Sequence, residues 1–322
     1  MLGLWALCCA GITQAMEPSV LFGPPFSDPN HVEPMPSTWQ SQSLKRPAGV
    51  DIAITLDQHL YPALLPLIDE YSARHHLNIA VQEGTCGISA GALLDKKADI
   101  GGFCCPAGAT DRLPGLRFHT VGIASLALIT NPLNPLKDLS LEQARDVFRG
   151  RIAYWNQLGV SLPGHNADTL IVAVGRLHCK NRPGHWRLLL TNEDRFSPRL
   201  LESSTIPDMI SDVAGNPAAI GYEAIWMTRH YADKGKVNAV SVNGTSPFDE
   251  HALIDGRYPL YRTFNITTWD DGAAANAQAD ALVRYLLNNV ERIDARYGII
   301  PVTRLRQAGW HFRDDELTGA PD

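Results

Sequence analysis

Outside the first fifteen residues, the chain has four cysteines, in three separate segments. Cys86 lies in Gly84-Thr85-Cys86-Gly87, Cys104 and Cys105 are adjacent in Phe103-Cys104-Cys105-Pro106, and Cys179 closes Arg176-Leu177-His178-Cys179. Each segment reads as a loop beside a strand or a helix start. If the loops converge, they form a site of soft sulfur, and thiolates favour thiophilic metals or metalloids over hard anions. The competing reading is a disulfide, with Cys86–Cys179 the pair to consider in an exported protein. Cys104 and Cys105 do not suit a bond to each other, because neighbouring residues sit away from the usual disulfide geometry.

The elements that must position these loops follow from periodicity. Residues 50–55 alternate like a strand, 59–75 carry apolar residues at helical spacing, and 77–81 read as a second strand. Gly84–Gly87 turns into a helix through Leu94, and 98–101 is a third strand, so the run is βαβαβ with a parallel sheet. Further on, 121–130 is a long apolar strand. Ser140-Leu141-Glu142-Gln143 has the form of a capping box, opening a helix that stops at Gly150. A buried strand is expected over 169–174, a helix over 207–213, a strand over 219–222 and a helix over 273–289.

Length and composition set the frame. The 322 residues suffice for two domains, and 45% hydrophobic with 19% charged residues is ordinary for a globular chain. The net charge of −6, without basic runs, argues against nucleic acid as partner. Residues 1–15 are a short apolar run ending in small residues, read as a signal peptide and implying a periplasmic location. Cys8 and Cys9 fall within that run, and a lipid anchor there is not expected. Residues 16–49, rich in Pro and polar residues, read as a linker. No other run is long enough to span a bilayer.

In this order the motifs resemble the phosphate-type periplasmic substrate-binding proteins, the two-lobe (type II) solute receptors of ABC importers. The resemblance covers about residues 50–300. It is carried by Gly84–Gly87 with Leu93–Gly101, by Val121–Ala124 with Asn131–Pro135, and by Leu139–Gly150. Arg151–Gly159 with its Trp155, Ala218–Tyr222 and Tyr258–Arg262 complete it. It implies an α/β fold of two lobes, 50–122 plus 259–322 and 123–258, closing around a ligand cleft between them. It also implies a binding protein rather than an enzyme, and no acid–base constellation stands out. No nucleotide-binding or haem motif appears, so no cofactor is expected.

Against the family pattern, Cys86 stands where a small hydroxyl is usual. Cys104 stands where Ser, Arg or an Asp selects an oxyanion. In the fourth loop Arg176 remains, but Leu177-His178-Cys179-Lys180-Asn181 replaces Ser-Gly-Thr. Thiols are weak donors for an oxyanion. Three thiols suit trivalent arsenic, whose acid is neutral at pH 7, and the chain resembles the periplasmic arsenite-binding sensors of this family. The expectation is therefore capture of arsenite by Cys86, Cys104 and Cys179, with Cys105, His178, Arg176 and His59 as further cleft residues. The partner is a membrane sensor histidine kinase or an ABC permease. The alternatives are a phosphate or arsenate receptor of an importer, and a Cu(I) or Zn carrier. Zn in a closed site takes four ligands, which the thiols could make with His178 or Cys105.

Overall fold

The computed structural model describes residues 28–177, 189–190, 195–270 and 272–321. Cys179 and His178 lie outside them. A short helix, α1 (Ser37–Gln40), leads to strand β1 (Ile52–Asp57), helix α2 (Leu60–His75), β2 (Ile79–Gly84), α3 (Cys86–Leu94) and β3 (Ile100–Phe103). The long β4 (Leu116–Thr130) follows, then β5 (Asp138–Leu139), α4 (Leu141–Arg149), β6 (Val172–Gly175), β7 (Leu201–Glu202), α5 (Ile206–Ala214), β8 (Ala219–Ala224) and α6 (Ile225–His230). The chain ends through β9 (Asn238–Val242), α7 (Glu250–Ile254), β10 (Tyr261–Trp269), α8 (Ala277–Asn288), β11 (Ile300–Pro301), α9 (Val302–Gln307), β12 (His311–Arg313) and β13 (Glu316–Gly319).

Local signals in the sequence account for several boundaries. Ser140 Oγ accepts from Gln143 N at 3.0 Å and Gln143 Oε1 accepts from Ser140 N at 2.8 Å, the reciprocal box expected at the start of α4. The helix ends at Gly150, whose φ of +79° is a conformation only glycine adopts without strain. Pro66 lies inside α2 and Pro62 in its first turn, where a missing N–H leaves no hydrogen bond unmade. Several elements differ from expectation at their ends; the strand expected over 169–174 spans Val172–Gly175 and that over 77–81 spans Ile79–Gly84. The long strand starts earlier, at Leu116, because pairing with β10 carries it past the apolar run. The last long helix is shorter, beginning after the Asn276 cap, whose side chain accepts from Gln278 N; a 3₁₀ turn, Gly272–Ala274, precedes it.

The main sheet runs in the order β2-β1-β3-β10-β4-β8-β6-β7, with β9 and β11 pairing to β4 and β5 to β9. β1 is parallel to both β2 and β3, as the βαβαβ reading requires. Two apolar cores sit along this sheet. One gathers Ile52, Leu60, Leu64, Leu93, Phe103, Phe264 and Leu282; the other gathers Leu128, Phe148, Trp155, Val174, Ile220, Tyr222 and Val240. β4 runs through both, giving Val121 and Ala124 to the first and Leu126–Ile129 to the second. β10 runs alongside β4 in the antiparallel sense, with Tyr261 in the second core and Phe264 in the first. The two strands thus form the paired crossing between the cores. Trp155 is fully buried and its indole donates to Ala218 O at 3.1 Å.

Part of the stretch read as a linker is anchored to the first core. Trp39 is buried, its indole donates to Leu94 O at 2.7 Å, and the Lys96 ammonium lies 3.8 Å from the ring centres of both Trp39 and Trp269. Arg46 reaches Asp99 with a two-nitrogen grip on a fully buried carboxylate.

Candidate functional site

The parallel register brings three loops to one place. Asp57, the last residue of β1, stands level with Gly84, the last of β2, and Thr55 is level with Gly101 in β3. The residues that follow these strand ends therefore meet beyond the carboxyl edge of the sheet, where open α/β sheets place their ligands. They are His59, Cys86 and the pair Cys104–Cys105.

Cys86 is the first residue of α3. Thr85 caps that helix, its hydroxyl accepting from Ile88 N at 3.3 Å. A helix start by itself favours negative charge on a thiol, but at Cys86 hydrogen bonding with the neighbouring thiols outweighs it. The Cys86 sulfur is 3.2 Å from that of Cys104 and 3.8 Å from that of Cys105, and the Cys104 and Cys105 sulfurs are 3.9 Å apart. All three are buried free cysteines. The backbone N–H of Cys104 donates to the Cys86 sulfur at 3.2 Å. Thiolates held about 2.3 Å from a tetrahedral zinc stand about 3.8 Å apart; the 3.8 and 3.9 Å separations match sulfurs sharing one central atom, and the 3.2 Å pair is closer than that. Cys105, a secondary candidate in the sequence, is a full member of the cluster.

The thiols do not share protons evenly. Hydrogen bonding to Cys104 pushes the Cys86 thiol well above the usual range. Hydrogen bonds from Cys104 and Cys86 hold Cys105 well below it, assisted by Arg262. Contact with Cys105 opposes ionisation of Cys104, but the Cys86 hydrogen bond and Arg262 bring it down as well.

Against the sulfurs lies a buried charged group. His59 is fully buried; its Nδ1 is 3.1 Å from Asp57 Oδ1 and its Nε2 is 3.8 Å from Glu223 Oε1. Burial and Arg262 would lower the His59 pKa, but Cys104 and Asp57 outweigh them and it is pushed up to about 10. Burial, with Cys104, raises the Asp57 carboxyl against the opposing pull of His59. Glu223, on β8, takes Arg176 Nη1 on one oxygen at 2.8 Å and Arg262 Nη2 on the other at 2.9 Å. Its own neighbour Ala224 N donates to Oε1 at 2.8 Å. Burial works against the Glu223 charge, yet Arg262, His59 and Arg176 hold its carboxyl well below the usual range. Arg176 follows β6, and its backbone N–H donates to the Tyr222 hydroxyl at 2.9 Å.

Of the expected site residues, then, Cys86, Cys104, Cys105 and His59 come together, and Arg176 joins through Glu223. Asp57, Glu223 and Arg262 were not singled out in the sequence. The available signal was a charged residue interrupting or ending an apolar strand: Asp57 after Ile52–Leu56, Glu223 after Ala219–Tyr222, and Arg262 within Tyr258–Phe264.

A family model described as a PBP superfamily domain matches residues 41–290. The phosphate-binding protein PstS of Bacillus subtilis is 23% identical over 265 residues, 80% of this chain and 83% of that protein. Among solved structures, a putative phosphate ABC transporter substrate-binding protein with bound phosphate from Clostridium perfringens superposes with a TM-score of 0.65. It is 21% identical and covers 78% of this chain and 99% of its own. An ABC-type phosphate transport receptor from Vibrio cholerae gives 0.61 at 22% identity, with 77% and 99% covered. The two-lobe binding-protein fold expected from the sequence is therefore the fold of this chain.

Proposed function

Because the chain belongs to the PBP superfamily, we propose that it is an exported solute-binding protein that captures trivalent arsenic through Cys86, Cys104 and Cys105. On binding it would signal or deliver to a membrane partner, a sensor histidine kinase or an ABC permease. The observation that carries this reading is the sulfur triangle, with separations of 3.2, 3.8 and 3.9 Å at the carboxyl edge of the sheet. Three S–H groups and As(OH)₃ exchange to three S–As bonds and three waters, with no net charge change. Among the described residues, no helix is long and apolar enough to cross a membrane.

Two features favour arsenic over zinc. Zinc in a closed site takes four ligands. The nearby His59, with Asp57 and Cys104, is the other group among the described residues that could hold a metal. Its Nδ1 is 3.1 Å from Asp57 Oδ1 and its pKa is pushed up to about 10, so in the metal-free chain it is protonated. A protonated imidazole has no lone pair to give. Trivalent arsenic is complete with three sulfurs.

A second reading, an oxyanion receptor, is favoured by the relatives, which are named for phosphate, and by the arginine in the fourth loop. The experiment that separates the two is equilibrium dialysis of the reduced protein against arsenite and, separately, against phosphate. Bound arsenic near one per chain, lost in Cys86→Ser and Cys104→Ser, supports the thiol reading. Phosphate binding that survives blocking of the thiols supports the oxyanion reading. Cys179 is the competing third donor: if Cys179→Ser abolishes binding and Cys105→Ser does not, the set is Cys86, Cys104 and Cys179.

A further inference from the structure

The buried carboxylate of Glu223 sits where the positive groups of the cleft converge. Arg176 arrives from the loop after β6, in the second core, and Arg262 from β10, which crosses between cores. Each gives one guanidinium nitrogen to a different Glu223 oxygen, and His59 Nε2 approaches from the first core. This is the arrangement of donors that would clamp an oxyanion, with a side chain in the anion's position. Among the described residues, Arg176 Nε, Arg262 Nε and His59 Nε2 are buried donors without a hydrogen-bond partner, against one unmet carboxylate oxygen, Asp57 Oδ2. Buried donors left unmet are uncommon, and a tetrahedral oxyanion has more acceptor oxygens to offer them than a carboxylate has.

We propose that Glu223 is the specificity residue of the cleft, an internal carboxylate that holds the two arginines an incoming oxyanion would need. Phosphate and arsenate are refused, and a neutral solute is left to the thiols. This rests on the thiol-capture reading for what is admitted, but not for what is refused. An incoming dianion meets a fixed like charge with its two guanidiniums already engaged, which is discrimination by repulsion as much as by missing attraction. Arsenous acid carries no charge and pays no such penalty. Glu223 is itself fixed by the Ala224 N–H and by both arginines, so it does not swing aside.

The test uses the reduced full chain and inorganic phosphate as probe. Glu223→Ala removes the carboxylate and one methylene, leaving a space close to the size of phosphate with both arginines around it. The expected result is phosphate binding at least about 100-fold tighter than in the wild-type chain, since each charge-assisted hydrogen bond regained contributes about tenfold. Glu223→Gln, which keeps the bulk, gains much less. If Glu223→Ala is folded and binds phosphate no better than wild type, or if wild type already binds phosphate as tightly as the variant, the proposal is overturned. If the variant does not fold alone, it is refolded in phosphate and in chloride at equal ionic strength. Recovery in phosphate only supports the proposal, and no recovery in either overturns it. Arsenite binding by the wild-type chain is read in parallel. A wild type that ignores arsenite while Glu223→Ala gains phosphate removes the thiol reading and leaves the exclusion standing. The opposite pair of results removes the exclusion alone.

Discussion

Cys86, Cys104 and Cys105 face one another and, among the described residues, a single backbone N–H, from Cys104, is aimed at their sulfurs. A few residues away, Glu223 has both oxygens taken by guanidiniums and a backbone amide, and is wholly buried. The two regions meet through His59, on strands that run in opposite directions, yet one is loosely satisfied and the other strongly paired. In the chemistry of a binding cleft, groups already committed to each other contribute shape and selectivity, whereas groups with weak mutual bonds remain available to a ligand. The sulfurs interact through weak S–H donors, which an S–As bond easily replaces. The ion pairs are buried, and separating them leaves uncompensated charge. The thiols are thus the part that reacts, and the charges are the part that holds still.

The largest effect should come from breaking the charged region. Arg262→Met leaves Glu223 with one guanidinium and should lower unfolding free energy by about 3–5 kcal/mol, read by urea denaturation. A loss under about 1 kcal/mol would mean that the two regions do not differ in this way. Next in size, Cys86→Ser or Cys104→Ser should weaken arsenite binding by more than the roughly 10–100-fold that losing an outer-shell partner costs a metal site. The same variants should change the urea midpoint little, so the two regions separate cleanly into binding and stability. Acid should then discriminate between them. Glu223 has its folded pKa depressed below its ordinary 4.5. Its contribution is therefore fully present above that value and falls away as pH drops through the lower folded value. Stability of the wild-type chain should decline with acid below about pH 4.5 more steeply than that of Glu223→Gln, and equal slopes would remove Glu223 from the account. The smallest effect is at Thr85, which caps α3 and sets Cys86 on its first turn. Thr85→Ala should cost about 1 kcal/mol and weaken arsenite binding only a few-fold, as measured by thermal melting and dialysis.

The sulfur half was legible in the sequence because cysteine is a rare and chemically distinct residue, and because parallel βαβ order forces successive strand ends to one edge. Cys86 and Cys104 could be placed there from that rule together with the resemblance to the binding-protein family. Cys105 was harder to rank: adjacent residues in a strand point to opposite sides, but these two lie past the end of β3, where the alternation no longer holds. The charged half was far less visible. Arg262 and Glu223 are on β10 and β8, which are not neighbours in the sheet. Nothing in either local pattern says that they pair. His59 was legible as a cleft residue from its place after the first strand, whereas Asp57, two residues earlier, carried no signal beyond ending that strand. Trp39 was hidden in a proline-rich stretch whose composition says linker, and only its packing on Lys96 and Trp269 shows the anchor.

The central claim is that trivalent arsenic is held by three sulfurs, and arsenic K-edge X-ray absorption of the reduced chain with one equivalent of arsenite tests it most directly. The account predicts three sulfur neighbours and no oxygen around arsenic in the wild-type chain, with one sulfur replaced by oxygen in Cys105→Ser. Arsenic that keeps its oxygen neighbours in the wild-type chain would contradict it.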